Sequence, residues 1–348
     1  MPRSFDRLLI TGVTGFLGGH MTLEALRRGY HVTGTLRSMS RADHFRLTLR
    51  QHLGAAADEA LARLVLREAN LLDPNGWAEA SQGCSAVLHV ASPFPLGVPR
   101  DEQDLIAPAR QGVRHVFDAA DRAGIQRFVQ TSSTVAITYG HGRTRTAFTE
   151  ADWTDLEGGM ISAYIKSKTL AERDLWMLAS QRPHIAVSSV NPGFILGPVL
   201  DRKDPGTSCD VVLQMMRGAY PGVPRLGYPT VDVRDVVDLH FAVLEDPEAG
   251  GERFAAASGT LPFKSLAQSI KSAFPEHARK ISTRTLPDFL VKAYSLIEKS
   301  TRGVLDELGY MPSVSSAKAR QRYGWNPRTA EEAAVATAQS LIDLEFIR

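Results

Sequence analysis

Only two cysteines, Cys84 and Cys209, stand in this chain of 348 residues. Two thiols supply neither a disulfide framework nor a zinc-ligand spacing, so a cross-bridged secreted scaffold and a zinc module drop out. Net charge is nearly absent as well. The 40 Lys and Arg against 38 Asp and Glu leave +2, too little to favour a nucleic acid or an anionic membrane surface as partner. No apolar run approaches the ~18 residues of a membrane span, and no charged-then-apolar leader opens the chain. The expectation is a cytoplasmic protein with no nucleic-acid or membrane partner. Repeats, low-complexity tracts and His/Cys/Asp/Glu clusters of metal-binding spacing are missing too, so no metal is expected. What remains, with 43% apolar and 22% charged residues, has the composition of a globular chain long enough for one large α/β domain plus a smaller one.

The most informative stretch is residues 8–20, LLITGVTGFLGGH, where an apolar strand end runs into Gly12, Gly15 and Gly18. An amphipathic segment follows through Leu26 and stops at Gly29. A strand, a tight glycine turn and a helix start make a phosphate site, because free backbone N–H groups and the helix dipole both favour an anion. Thr14, Phe16 and Leu17 belong to this loop with the glycines as candidate cofactor contacts. A purely structural turn would use the same glycines, so the flanking strand and helix carry the reading.

Residues 31–36 read as the second strand, ending at Leu36 and Arg37, with Ser38 and Arg41 just beyond. In a dinucleotide fold a carboxylate at that end holds the ribose hydroxyl of NAD, whereas arginine accommodates the 2′-phosphate of NADP. Arg37, aided by Arg41, therefore points to NADP(H). A helix over 41–62, a third strand at 64–66 and Asn70 and Leu71 near an adenine site follow. Next comes a short strand at 86–90 that breaks at Ala91, Ser92, Pro93 and Phe94. Val90, Ala91 and Ser92 lie at the carboxyl end of that strand, the edge where open parallel sheets bind ligands. A helix over 102–123, a strand at 127–131 ending in Ser132, Ser133 and Thr134, a helix over 162–180 and a strand at 186–190 complete the alternation. This pattern predicts a doubly wound parallel sheet, a Rossmann fold. Beyond it proline and glycine become dense and helices at 208–218 and 265–275 stand among irregular segments. The expected division is a dinucleotide-binding domain over 1–192 with a return segment at about 229–246, and a smaller substrate-binding domain over 193–228 and 247–348. Residues 231–235 and the helix after them are expected back on the main sheet, and Thr329 with Glu332 forms a capping box for a last helix over 330–345.

Tyr164 and Lys168 are spaced i, i+4, on one helical face. A phenol with a pKa of ~10 is a poor acid near neutrality, and a neighbouring ammonium favours its phenolate. Such a tyrosine can hand a proton to a carbonyl oxygen while hydride reaches the carbon, and a serine hydroxyl can hold the same oxygen. Alone, a Tyr-x-x-x-Lys pair is ordinary helix surface; its conjunction with the glycine turn and a serine at a strand's carboxyl end is what points to chemistry.

Six stretches resemble the extended short-chain dehydrogenases/reductases, in the branch of dihydroflavonol reductase, cinnamoyl-CoA reductase and microbial aldehyde and ketone reductases. They are TGVTGFLG (11–18), VLHVASP (87–93), TSST (131–134), YIKSKTLAE (164–172), NPGFILGP (191–198) and VDVRDV (231–236). The resemblance implies Ser133, Tyr164 and Lys168 as catalytic triad, Arg37 at the 2′-phosphate, and Pro192, Gly193 and Ile195 beside the nicotinamide. It implies NADPH-dependent reduction of an aldehyde or ketone. Where flavonoid reductases carry asparagine this chain has Thr138, which speaks against a dihydroflavonol. Ser92, Pro93, Phe94, Thr138, Phe194, Met216 and Tyr228 are the expected walls of a mostly apolar pocket for a small carbonyl compound. His89 belongs to the strand motif and reads as a core histidine, and Lys166, two residues from Tyr164, should face away. A nucleotide-sugar epimerase or dehydratase is the alternative on the same fold, but Val135 and Ala136 stand where a dehydratase wants Asp and Glu. A non-catalytic NADP-sensing regulator typically lacks the tyrosine or lysine, and both are present. The helices at 102–123 and 162–180 form a dimer face in many relatives, so monomer and homodimer are both open.

Overall fold

A computed structural model describes residues 5–93, 99, 101–296 and 305–347. The first half alternates strands and helices: β1 (Arg7–Ile10), α1 (Phe16–Arg27), β2 (His31–Leu36), α2 (Ala42–Leu53), α3 (Ala57–Ala62), β3 (Leu64–Glu68), α4 (Trp77–Ser81), β4 (Ala86–His89), α5 (Gln103–Arg122) and β5 (Arg127–Thr131). The single helix expected over 41–62 is two, because Gly54 at φ 59° turns the chain between α2 and α3. After β6 (Ala147–Phe148) come α6 (Ala163–Gln181), β7 (Ala186–Pro192), β8 (Phe194–Leu196), α7 (Thr207–Arg217), β9 (Gly227–Asp232), α8 (Val233–Glu245) and β10 (Glu252–Ala256). The chain continues through β11 (Gly259–Pro262), α9 (Phe263–Ala273), α10 (Asp288–Tyr294), β12 (Ser313–Val314), α11 (Ala317–Tyr323) and α12 (Ala330–Asp343).

Seven strands form the main sheet in the order β10-β7-β5-β4-β1-β2-β3, with every pairing parallel. Alternate residues feed opposite faces. Leu8 and Ile10 pack with Leu26, Phe241 and Leu244 on one side, while Leu9 packs with Phe117, Phe128 and Leu175 on the other. Strand order reverses between β1 and β4, which opens a crevice at their carboxyl ends. This is the doubly wound Rossmann architecture that the alternation predicts.

The return to this sheet differs from the expectation. Residues 231–232 end β9, which pairs with β8 and β11 in a separate three-stranded sheet. Helix α8 does come back onto the main core through Val233, Val236, Phe241 and Leu244. The strand that joins the main sheet is β10, running beside β7 from Glu252 opposite Ser188 to Ala256 opposite Pro192. Its charged start, Glu252-Arg253, disguises a strand whose Phe254, Ala255 and Ala256 are buried. Residues 252–256 thus lie with the dinucleotide-binding sheet and outside the smaller unit. A third apolar cluster joins α7, α9 and α12 around Cys209, Leu213, Ile270 and Leu341. The capping box on α12 forms as its sequence predicts, Thr329 accepting from the Glu332 N–H while Glu332 accepts from Thr329.

Candidate active site

The glycine turn leaves β1 and delivers the start of α1 to the crevice. Gly12 has φ 70°, and a Cβ there would lie 3.0 Å from Ala91; one on Gly18 would sit 2.2 Å from the Gly12 carbonyl oxygen. Gly15 caps α1 with no side-chain hydrogen bond and no acidic residue in the first turn. Free N–H groups in a cradle that side chains would fill are what a dinucleotide pyrophosphate requires, and the residues fit that group. Thr14 and Phe16 are half-buried there and Leu17 is buried.

Thr11, which the motif reading left unassigned, ties this turn to the loop after β4. Its Oγ1 accepts the N–H groups of Val90 (3.0 Å) and Ala91 (2.9 Å) and lies 2.9 Å from His89 Nδ1. With both lone pairs used, the Thr11 hydroxyl donates to His89. Burial lowers the His89 pKa to about 3, with the Lys168 charge acting the same way, so the ring is neutral. His89 is a core histidine, as its strand position suggests. His115, likewise outside the site, lies 3.0 Å from the Leu71 carbonyl through Nδ1.

At the end of β2, Arg37 and Ser38 are exposed and Arg41 is half-buried. Leu36, only 2% exposed, turns into the core and leaves that rim to Arg37. Parallel pairing sets Glu68 opposite Leu36, and its Oε2 accepts the Met39 N–H at 2.8 Å. This carboxylate escaped the sequence reading because it sits on a neighbouring strand. Asn70 is exposed beyond β3 and accepts the Leu72 N–H (3.1 Å), with half-buried Leu71 beside it.

Ser133, two residues past the end of β5, has extended backbone (φ −162°, ψ 154°), accepts the Val135 N–H and donates to the Pro192 carbonyl at 3.5 Å. Its hydroxyl also hydrogen-bonds the Tyr164 phenol. Burial raises the Tyr164 pKa and the Ser133 bond opposes the rise, so the phenol keeps its proton at neutral pH. Lys168, one turn further on α6, is 9% exposed. Desolvation lowers its pKa to about 8, and the charge of Glu172 holds it up. Lys166 pairs with Glu102 at 2.7 Å and faces away from the phenol, as its spacing predicts. Pro192 is buried, while Gly193, Phe194 and Ile195 line the approach half-buried. Gly193 lies so close to β9 that a Cβ would meet the Pro229 carbonyl oxygen at 2.1 Å.

The expected pocket residues separate into two sets. Ser92 and Pro93 are half-buried beyond β4, and Phe94 lies outside the described residues. Phe194 and Tyr228 meet tilted at 45° with centroids 5.8 Å apart, and Tyr228 meets Phe263 edge-on at 5.8 Å. Thr138 is 1% exposed and its hydroxyl donates to the Thr134 carbonyl. Met216, also 1% exposed, packs into the α7–α9–α12 cluster because the apolar face of α7 looks inward. Thr138 and Met216 are therefore buried in the packing and present no exposed wall, unlike the expectation. Sequence reasoning missed Glu307, whose carboxyl lies beside the Tyr228 and Tyr139 phenols. Burial raises its pKa, and those two hydrogen bonds oppose the rise. Among the described residues no group of His, Cys, Asp and Glu could hold a metal, and no helix is long and apolar enough to cross a membrane.

This arrangement sets a glycine-lined phosphate cradle and the Ser133, Tyr164 and Lys168 side chains at the carboxyl edge of one Rossmann sheet. A family model, the NAD dependent epimerase/dehydratase family, matches residues 8–257, and the chain belongs to that family. Within it the likeness runs to reductases. The chain is 30% identical over 274 residues to cinnamoyl-CoA reductase CAD2 of Medicago truncatula, covering 76% of this chain and 80% of the relative. It is 28% identical over 317 residues to ketoreductase azaE of Aspergillus niger, with 86% and 92% covered. Its fold matches yeast methylglyoxal/isovaleraldehyde reductase Gre2 complexed with NADPH at a TM-score of 0.80 and 22% identity, over 97% of this chain and 99% of that one.

Proposed function

We propose that this protein is an NADPH-dependent carbonyl reductase that converts a small aldehyde or ketone to its alcohol. The observation that carries the reading is the hydrogen bond between Tyr164 and Ser133, with Lys168 one helical turn away at a buried crevice. NADPH, when bound, supplies the hydride. Ser133 holds the carbonyl oxygen, and Tyr164, protonated at neutral pH, delivers the proton to it as negative charge develops there. The Lys168 ammonium stabilises the phenolate left behind. Arg37 and Arg41 offer donors to a 2′-phosphate, while Leu36 offers none to a ribose hydroxyl.

The reductases named above support the reaction class, and the aromatic wall of Phe194, Tyr228 and Phe263 supports a compact, mostly apolar carbonyl compound. Val135 and Ala136 beside Ser133 speak against sugar dehydration. The deciding experiment follows NADPH oxidation by its absorbance with methylglyoxal, isovaleraldehyde, diketones, keto esters and a dihydroflavonol. Turnover of an aldehyde or ketone is expected. Failure with every carbonyl, in a protein that binds NADPH, overturns the reading.

A further inference from the structure

Glu172 stands four residues after Lys168 and eight after Tyr164, on the same face of α6. It is fully buried, and three donors meet each of its oxygens. Oε1 accepts from Arg253 Nε (2.7 Å), Ser189 Oγ (2.8 Å) and Trp176 Nε1 (3.3 Å). Oε2 accepts from Ser132 Oγ (2.5 Å), Asn191 Nδ2 (2.8 Å) and Arg253 Nη2 (3.2 Å). Six donors exceed the roughly four lone-pair sites of a carboxylate, so this group is a junction rather than one end of a simple ion pair.

The donors come from separate pieces of the site. Ser132 precedes Ser133, Ser189 and Asn191 lie on β7 just before Pro192, and Arg253 lies on β10. Asn191 also donates to the Ser133 carbonyl oxygen at 3.2 Å. Arg253 is fixed in turn, donating through Nη1 to the Glu150 and Asp152 carbonyls (2.7 Å each) and lying 3.8 Å from the centre of the Trp153 ring. Around Lys168 the titratable groups are Tyr164 and Glu172 on its own helix and neutral His89 on β4, with Arg253 behind Glu172. On the α5 side, Asp174 of α6 engages Arg110 and Arg114 in a separate cluster. The negative charge set against the buried ammonium is therefore that of Glu172.

We propose that Glu172, with Arg253 as its counter-ion, is a positioning residue for the reduction: its carboxylate locks the Ser132–Ser133 turn onto β7 and keeps Lys168 charged beneath Tyr164. The proposal rests on the carbonyl-reductase reading for its catalytic consequence, and its electrostatic part stands on the protein alone. A buried pair that served only to hold the fold would change stability without touching the titration of Lys168.

Three variants test it: Glu172→Gln, Glu172→Asp, and Glu172→Gln with Arg253→Met, which removes both charges together. Without cofactor, Tm is measured from pH 6 to 9 for each, beside the same protein carrying Lys168→Met, so that the Lys168-dependent slope is isolated. Desolvation already depresses the Lys168 pKa in the fold, so its contribution makes stability rise with pH above about 8. In the charge-free double variant this rise should begin about one pH unit lower. The alkaline limb of kcat for the best carbonyl of the panel should move down by the same amount, which by itself reduces kcat at pH 7.5 about threefold. Glu172→Asp should keep the limb in place while losing kcat through its shorter reach. An unshifted limb and unshifted Tm slope in the double variant overturn the proposal. If neither Gln-containing protein folds, full kcat in Glu172→Asp overturns the positioning role and reduced kcat with an unmoved limb supports it. Should no carbonyl be reduced at all, the functional reading fails by itself and the Tm slopes still decide the coupling.

Discussion

Burial makes Tyr164 less acidic in this fold than a free phenol, against the lowering that the neighbouring Lys168 ammonium alone predicts, so the phenol is protonated at neutral pH. Replacing it with phenylalanine removes the donor and leaves the ring. Tyr164→Phe should lower kcat by at least ~10²-fold, the usual scale of general acid–base catalysis, with NADPH affinity nearly unchanged by fluorescence titration. Arg37 is the second residue whose chemistry is separable. Charge-assisted hydrogen bonds contribute ~1.5–3 kcal/mol, so Arg37→Leu should cost about one to two orders of magnitude in the kcat/KM preference for NADPH over NADH. Equal loss with both cofactors would move the phosphate contact to Ser38 or Arg41. Leu36 is no site for a new carboxylate, since it is 2% exposed and an aspartate there would be buried without a partner. Glu68, beside the Met39 N–H, is the acidic neighbour that a redesign toward NADH would use.

Among the elements, those written in local pattern were legible and those made by remote pairing were not. The glycine turn, β2, β5, α5 and the capping box on α12 follow from spacing, turn residues and caps within a few positions, and the structure has them at or within a residue or two of the expected bounds. Strand β10 was hidden because its identity depends on β7, and α2–α3 read as one helix because a single Gly54 carries the break. The same limit held in the site. Ser133, Tyr164 and Lys168 stand in recognisable stretches, whereas the Glu172 junction draws on four separate parts of the chain and Met216 cannot be told from a pocket wall by its apolar character. Thr11 is another remote tie, linking β1 to the loop after β4. Thr11→Val keeps the shape and removes the hydroxyl, leaving the Val90 and Ala91 N–H groups and His89 short of a partner. Unfolding in urea should show a loss of about 2 kcal/mol or more, given ~1–3 kcal/mol for each unsatisfied buried group. NADPH should bind more weakly as the loop loosens. Stability and affinity equal to the parent would show that the hydroxyl ties nothing.

At the scale of the whole molecule, the described residues include three buried histidines held neutral. Burial lowers His20 and His240 to about 4 and His89 to about 3, from 6.5. His240 joins α8 to β5, with Nδ1 donating to the Val236 carbonyl and Nε2 lying 2.8 Å from Thr131 Oγ1. Because their folded pKa values lie below the unfolded one, the unfolded chain binds more protons between pH 6.5 and 4. Their stabilisation is complete above pH 6.5 and falls by up to about 1.4 kcal/mol per pH unit for each ring as the pH drops. Tm should therefore decline steeply between pH 6.5 and 5, and a flat profile there would contradict neutral burial. The edge strand β10 has a consequence for how the molecule comes into being. Arg253 lies 81 residues after Glu172, so a nascent chain emerging from the ribosome already holds Ser133, Tyr164 and Lys168 while the carboxylate beneath them still lacks its cation. Chains cut short before residue 253 carry Ser133, Tyr164 and Lys168 but lack the cation that meets Glu172, so that buried carboxylate finds its counter-charge only when synthesis has passed the far edge of the sheet.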